Sequence, residues 1–69
     1  MTMQYLRSLP AIQSIVDGSW TLRMSVRVRK CMSGQELTIV AFADEGGRSG
    51  QVQDDEGHWH FAGNLDLVE

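Results

Sequence analysis

His58 and His60 stand two residues apart on either side of Trp59, in a stretch whose apolar residues recur with a period of two. On a strand both imidazoles project from one face, the His-x-His geometry that chelates zinc. A metal centre needs a third donor. Gln51 and Gln53, the expected cross-strand neighbours, are poor ligands, so no metal and no other cofactor is expected. Cys31 with a histidine invites a nucleophile-and-base reading, but it falls in a predicted turn with no helix N-terminus to lower its pKa. Asp54, Asp55 and Glu56 are paired carboxylates in sequence. A hairpin turn has no pocket to hold one carboxyl protonated beside an ionised one, so they read as turn residues and as a secondary candidate surface. Gly46-Gly47-Arg48-Ser49-Gly50 has the glycines of a phosphate loop without its closing lysine or following helix, which leaves Arg48 as a contact residue. No catalytic set emerges, and the expectation is a chain that is not an enzyme.

Charge is the stronger pointer. Six Lys and Arg face nine Asp and Glu, for a net charge of -3, but the signs are segregated along the chain. Arg23, Arg27, Arg29 and Lys30 cluster early. Asp44, Glu45, Asp54, Asp55, Glu56, Asp66 and Glu69 fill the second half, opposed there by Arg48 alone. A folded domain with one basic and one acidic face suits steered docking on a larger charged partner. The partner-binding residues expected on this ground are Arg23, Arg27, Arg29 and Lys30, with Arg48 at the rim. The alternative is a small nucleic-acid-binding barrel that uses the same stripe, with Trp20 or Trp59 to stack on bases. The acidic second half opposes that reading, and a net charge of -3 is thin for a mimic of nucleic acid.

These residues need a scaffold, and the chain's 69 residues allow one thin core. The expectation is a single domain over 1–69, with an N-terminal segment at 1–18 and a β meander over 19–69. From Trp20 to Arg29 apolar and polar residues alternate as in a half-buried strand, which sets Arg23, Arg27 and Arg29 opposite Met24, Val26 and Val28. Cys31 to Gly34 reads as a turn, and Glu36 to Ala43 as a strand whose weak alternation implies partial cover on both faces. Asp54 to Gly57 joins Gln51–Gln53 to His58–Phe61. A four-residue turn would set Val52 opposite Trp59, a three-residue turn would set it opposite His60, and pairing like with like favours the first. Trp59, Phe61, Gly63, Leu65 and Leu67 share one parity in a long last strand bent at Ala62-Gly63. The expected core is Trp59, Phe61, Leu65, Leu67, Val26, Val28, Ile39 and Ala41. For residues 8–17 two readings compete. Ser8 as cap and Pro10 in the first turn favour a short helix ending at Gly18; the rival is a hairpin turn at Asp17-Gly18.

The resulting fold class is all-β: a small antiparallel barrel or curled sheet of four to five strands, with at most one short N-terminal helix. From Gly34 to Glu69 the order Gly34-Gln-Glu-Leu-Thr-Ile-Val, Gly47-Arg-Ser-Gly50-Gln-Val52, His58-Trp59-His60-Phe61 and Leu65-Asp-Leu67-Val68-Glu69 resembles small SH3-like barrels, including KOW-type ones. The resemblance implies binding to peptides, larger proteins or nucleic acid through loops. The acidic aromatic-rich loop of proline-motif readers is missing. A lone cysteine, no signal-peptide core and no apolar run of membrane length point to the cytoplasm. Together these features give the expected function: a regulator or inhibitor that docks on a larger macromolecular machine, of the kind that small phage or accessory genes encode.

Overall fold

The computed structural model describes residues 1–68; Glu69, counted above with the acidic half and the closing strand, lies outside the described residues. A short helix α1 (Met3–Arg7) starts at Thr2, whose hydroxyl accepts the Tyr5 N–H, and buries Leu6. It stops before Pro10, because the residue preceding a proline is pushed out of helical backbone. The helix expected between Ser8 and Gly18 does not form. Ala11–Gln13 is strand β1, paired with the start of β2 (Trp20–Lys30) in the register Ile12 opposite Thr21. Pairing there satisfies a strand edge that a helix would have left open. The intervening loop is closed by the Ser14 N–H on the Ser19 carbonyl, with Asp17 accepting from the Ser19 N–H and hydroxyl. Ile15 and Val16 at its tip are fully exposed.

Strands β3 (Glu36–Ala43), β4 (Gln51–Asp54), β5 (Trp59–Phe61) and β6 (Leu65–Leu67) complete one antiparallel sheet in the order β1-β2-β3-β4-β5, with β6 returning to β2. The fold is therefore mostly β with one short N-terminal helix, as the sequence implies. The sheet is not closed: among the described residues no strand pairs with the outer edge of β5. Strand β2 carries β1 along its first part and β6 along its last. Met24 falls between the two at an irregularity in the β2–β3 register, and is 72% exposed despite its inward parity.

Leu6, Leu22, Val26, Val28, Ile39, Phe42, Val52, Ala62 and Leu65 form the core. A bulge in β3 between Ile39 and Ala41 turns both Ile39 and Phe42 inward, and the Phe42 ring stacks on Trp20 at 6.3 Å. Ala41 and Ala43, on the opposite parity, are covered as well, so the weak alternation of this strand does reflect cover on both faces.

The expected core errs at the last hairpin. Val52 lies opposite His60, not Trp59. A three-residue turn, Asp55 to Gly57, joins β4 to β5 and ends with Gly57 at φ 88°, a left-handed position that suits glycine. One residue of slip reverses every side chain on the strand. Trp59 is half-buried and Phe61 is 61% exposed. The single long last strand is also interrupted. A 3-10 turn at Ala62–Asn64 resets the parity, so Leu65 is buried, while Leu67 at the sheet edge is 43% exposed.

Candidate docking face

The basic stripe forms, and its charges divide into two groups. Arg27 and Arg29 project from β2 as expected. Arg27 donates to the Thr38 hydroxyl at 2.6 Å and to Glu36 at 3.0 Å, and Arg29 reaches the other Glu36 oxygen at 3.6 Å. On its other side Arg29 lies opposite Asp66 of β6. The Arg27 hydrogen bond, aided by both guanidinium charges, holds the Glu36 carboxyl below its ordinary pKa against the cost of desolvation. Arg7, from α1, makes a bidentate pair with Asp44, whose carboxyl it likewise holds low. Arg23, Lys30 and Arg48 have no carboxylate partner among the described residues. Arg23 stands alone on the exposed side of β2. Lys30 and Arg48 converge on a different feature.

That feature is the outward face of β5. The Arg48 guanidinium lies 4.8 Å from the centre of the Trp59 ring, held there by the 3-10 turn Gly46–Arg48. On one side of Trp59 a groove is lined by Asp17, Ala43, Glu45, Gly46, Gly47 and Arg48. On the other side a second groove runs from Trp59 and Phe61 to Lys30 and Met32. Met32 is 95% exposed. Half-buried Trp59 and exposed Phe61 thus lie between two cations.

The acidic turn is split by the same register. Asp55 and Glu56 are exposed, whereas Asp54 is buried and faces inward. Its Oδ1 accepts the N–H groups of Glu56 and His58, both at 2.9 Å, and its Oδ2 lies 2.7 Å from His60 Nε2. Burial pushes this carboxyl up, but the His60 contact and the two main-chain N–H bonds outweigh it and the pKa falls below the ordinary value. His58 points out, with Nδ1 3.9 Å from both Asp54 and Glu56. Among the described residues no three His, Cys, Asp or Glu side chains are arranged to hold a metal ion. Asp54 is a turn anchor, and the exposed acidic surface reduces to Asp55 and Glu56.

Cys31 is exposed in the turn after β2, and its thiol lies 3.2 Å from an Asp66 oxygen. That hydrogen bond, with some desolvation and the carboxylate charge, raises the thiol pKa, the reverse of what a nucleophile needs. No helix among the described residues is long and apolar enough to cross a membrane.

Sequence reasoning located Arg48 and Lys30 but placed Trp59 and Phe61 in the core. The signal that could have reversed this is Gly57: a three-residue loop ending in a left-handed glycine is a common hairpin connection, and it fixes the register on turn geometry rather than on matched hydrophobicity. Comparison with protein-family models, with curated proteins and with solved structures returns no match.

Proposed function

We propose that this chain acts by binding, as a non-enzymatic regulator or inhibitor that docks on a larger protein assembly through the face of Trp59 and Phe61, with Lys30 and Arg48 as its charged rim. The observation that carries the reading is the half-buried Trp59 and exposed Phe61 between two cations free of carboxylates among the described residues. Tryptophan and arginine dominate the energetics of protein interfaces, and an apolar centre with a charged rim is the usual anatomy of one. The likeness to SH3-like barrels points the same way. The lone exposed thiol fits a reducing compartment such as the cytoplasm.

Nucleic acid is the second reading, favoured by the Arg48–Trp59 stack, which offers a base a ring and a cation together. Against it, Glu36 neutralises the arginines that would track a backbone, and the chain is acidic overall. Affinity capture with tagged chain at mild salt separates the two. The first reading expects a stoichiometric protein that survives nuclease treatment; a gel shift with short RNA or DNA, fading as salt rises, would favour the second.

A further inference from the structure

We propose that the free edge of β5 takes an extended segment of the partner as an added strand, a segment with apolar residues at alternate positions and a carboxylate placed for Lys30. The proposal rests on the docking-face reading and specifies its binding mode.

Antiparallel neighbours alternate between residues that exchange N–H···O bonds and residues that do not. Between β4 and β5 the Asp54 N–H donates to the His58 carbonyl at 2.9 Å, and the Ala62 N–H donates to the Gly50 carbonyl at 3.0 Å. With His60 opposite Val52, the residues bonded to β4 are 58, 60 and 62. Trp59 and Phe61 therefore turn their N–H and C=O groups away from β4, toward the side where the sheet has no further strand among the described residues. Phe61 itself caps the 3-10 turn Ala62–Asn64. The Trp59 N–H, the Trp59 carbonyl and the Phe61 N–H have no backbone partner among the described residues.

An open edge is a template for another strand, and proteins normally blunt such edges. On β6 the Met1 nitrogen occupies the edge-facing Leu65 carbonyl. Strand β5 has no such cap, and its outward side chains are aromatic.

A groove of about 370 Å³ runs along this edge, from Trp59 and Phe61 across Leu65 to Lys30, Met32 and Asn64. Its apolar lining suits alternate apolar side chains of an added strand, while the Lys30 ammonium, unpaired with any described carboxylate, suits one acid. A second copy fits less well. Its β5 (Trp59–Phe61) carries no carboxylate to offer the Lys30 ammonium.

The test selects binders to the intact chain from random linear peptides displayed on phage, then measures amide exchange with a synthesised binder. Enriched peptides should alternate apolar residues and include Asp or Glu. Their binding should slow exchange at the Trp59 and Phe61 amides by about tenfold or more. Lys30→Glu, shown to be folded by its melt, should weaken binding about tenfold, or Lys30→Gln should do so if the first variant misfolds. Backbone N-methylation of the peptide at alternate residues, which keeps its side chains, should abolish binding in one of the two phases. Tight binding of both methylated peptides, or unchanged exchange at Trp59 and Phe61, overturns strand addition and leaves the docking face standing. So does failure to enrich any peptide over bare matrix, since the docking face is decided separately by partner capture. Slowed exchange at those two amides that grows with protein concentration alone overturns the proposal in favour of a second copy.

Discussion

Asp54 and His60 face each other inside the last hairpin, with Oδ2 and Nε2 2.7 Å apart and the carboxylate 4% exposed. Their contact belongs to the register that sends Trp59 and Phe61 outward, so the buried pair and the exposed docking face are two sides of one strand pairing. Because Asp54 has a lower pKa folded than its ordinary 3.8, the unfolded chain takes up the proton first as pH falls. Its stabilising contribution is complete above the ordinary carboxylate range and is lost as pH drops through the lower folded value.

Asp54→Ala should therefore destabilise the chain by about 3 kcal/mol in urea at neutral pH, through loss of hydrogen bonds to a charged acceptor. The gap between variant and wild type should narrow as the medium is acidified below about pH 4. A gap that stays constant down to pH 2, about the end of the carboxylate range, would contradict the buried-anion account.

Side-chain truncations should rank by the observed burial. Leu65→Ala removes a side chain that is 1% exposed and should cost about 2–5 kcal/mol. Trp59→Ala, at a half-buried ring on the outer face, should cost less than Leu65→Ala, and Phe61→Ala less again, under about 1 kcal/mol. Chemical denaturation of the three variants checks the order; a Trp59→Ala loss larger than that of Leu65→Ala would put the ring back in the core.

Gly57 holds the three-residue turn at φ 88°, and an added Cβ would meet nothing closer than Gln53 Nε2 at 4.0 Å. The cost of Gly57→Ala is therefore conformational, about 1–2 kcal/mol. Gly34→Ala, in the turn between β2 and β3 at φ 75°, should cost a similar amount but leave the β4–β5 pairing intact. Only the Gly57 variant should broaden the amide resonances of Trp59 to Phe61. Equal effects on that hairpin would deny Gly57 its role in the register.

Cys31 should alkylate slowly for an exposed thiol, because Asp66 disfavours the thiolate. Asp66→Asn should speed reaction with iodoacetamide at neutral pH, and the pH-rate curve should move to lower pH. Rates that match between the two proteins would remove the contact from the account.

Much of this fold was legible in the residues. The alternation from Trp20 to Arg29 gives strand β2, the run from Glu36 to Ala43 gives β3 with both bounds, and Asp54 to Gly57 gives the hairpin. Each depends on a local period or turn chemistry. Long-range choices were not legible. Ala11–Gln13 becomes a strand because the start of β2 needs a neighbour, and matching Val52 with Trp59 by hydrophobicity ignored the turn that sets their register. At the candidate site the cations were legible as a stripe. That Glu36 would occupy two of them while Lys30 and Arg48 flank an outward tryptophan depends on which strands are neighbours, which residue types alone do not determine.

Whether the Trp59–Phe61 face with Lys30 and Arg48 meets a protein partner is decided by capture from nuclease-treated lysate with three immobilised proteins. They are the wild type, Lys30→Glu/Arg48→Glu, and Arg27→Gln/Arg29→Gln, each first shown by its melt to be folded. One stoichiometric protein is expected on the wild type and on the Arg27/Arg29 variant, with recovery reduced about tenfold or more on the Lys30/Arg48 variant. Equal recovery on the Lys30/Arg48 variant, or no stoichiometric protein on the wild type, would contradict that contact.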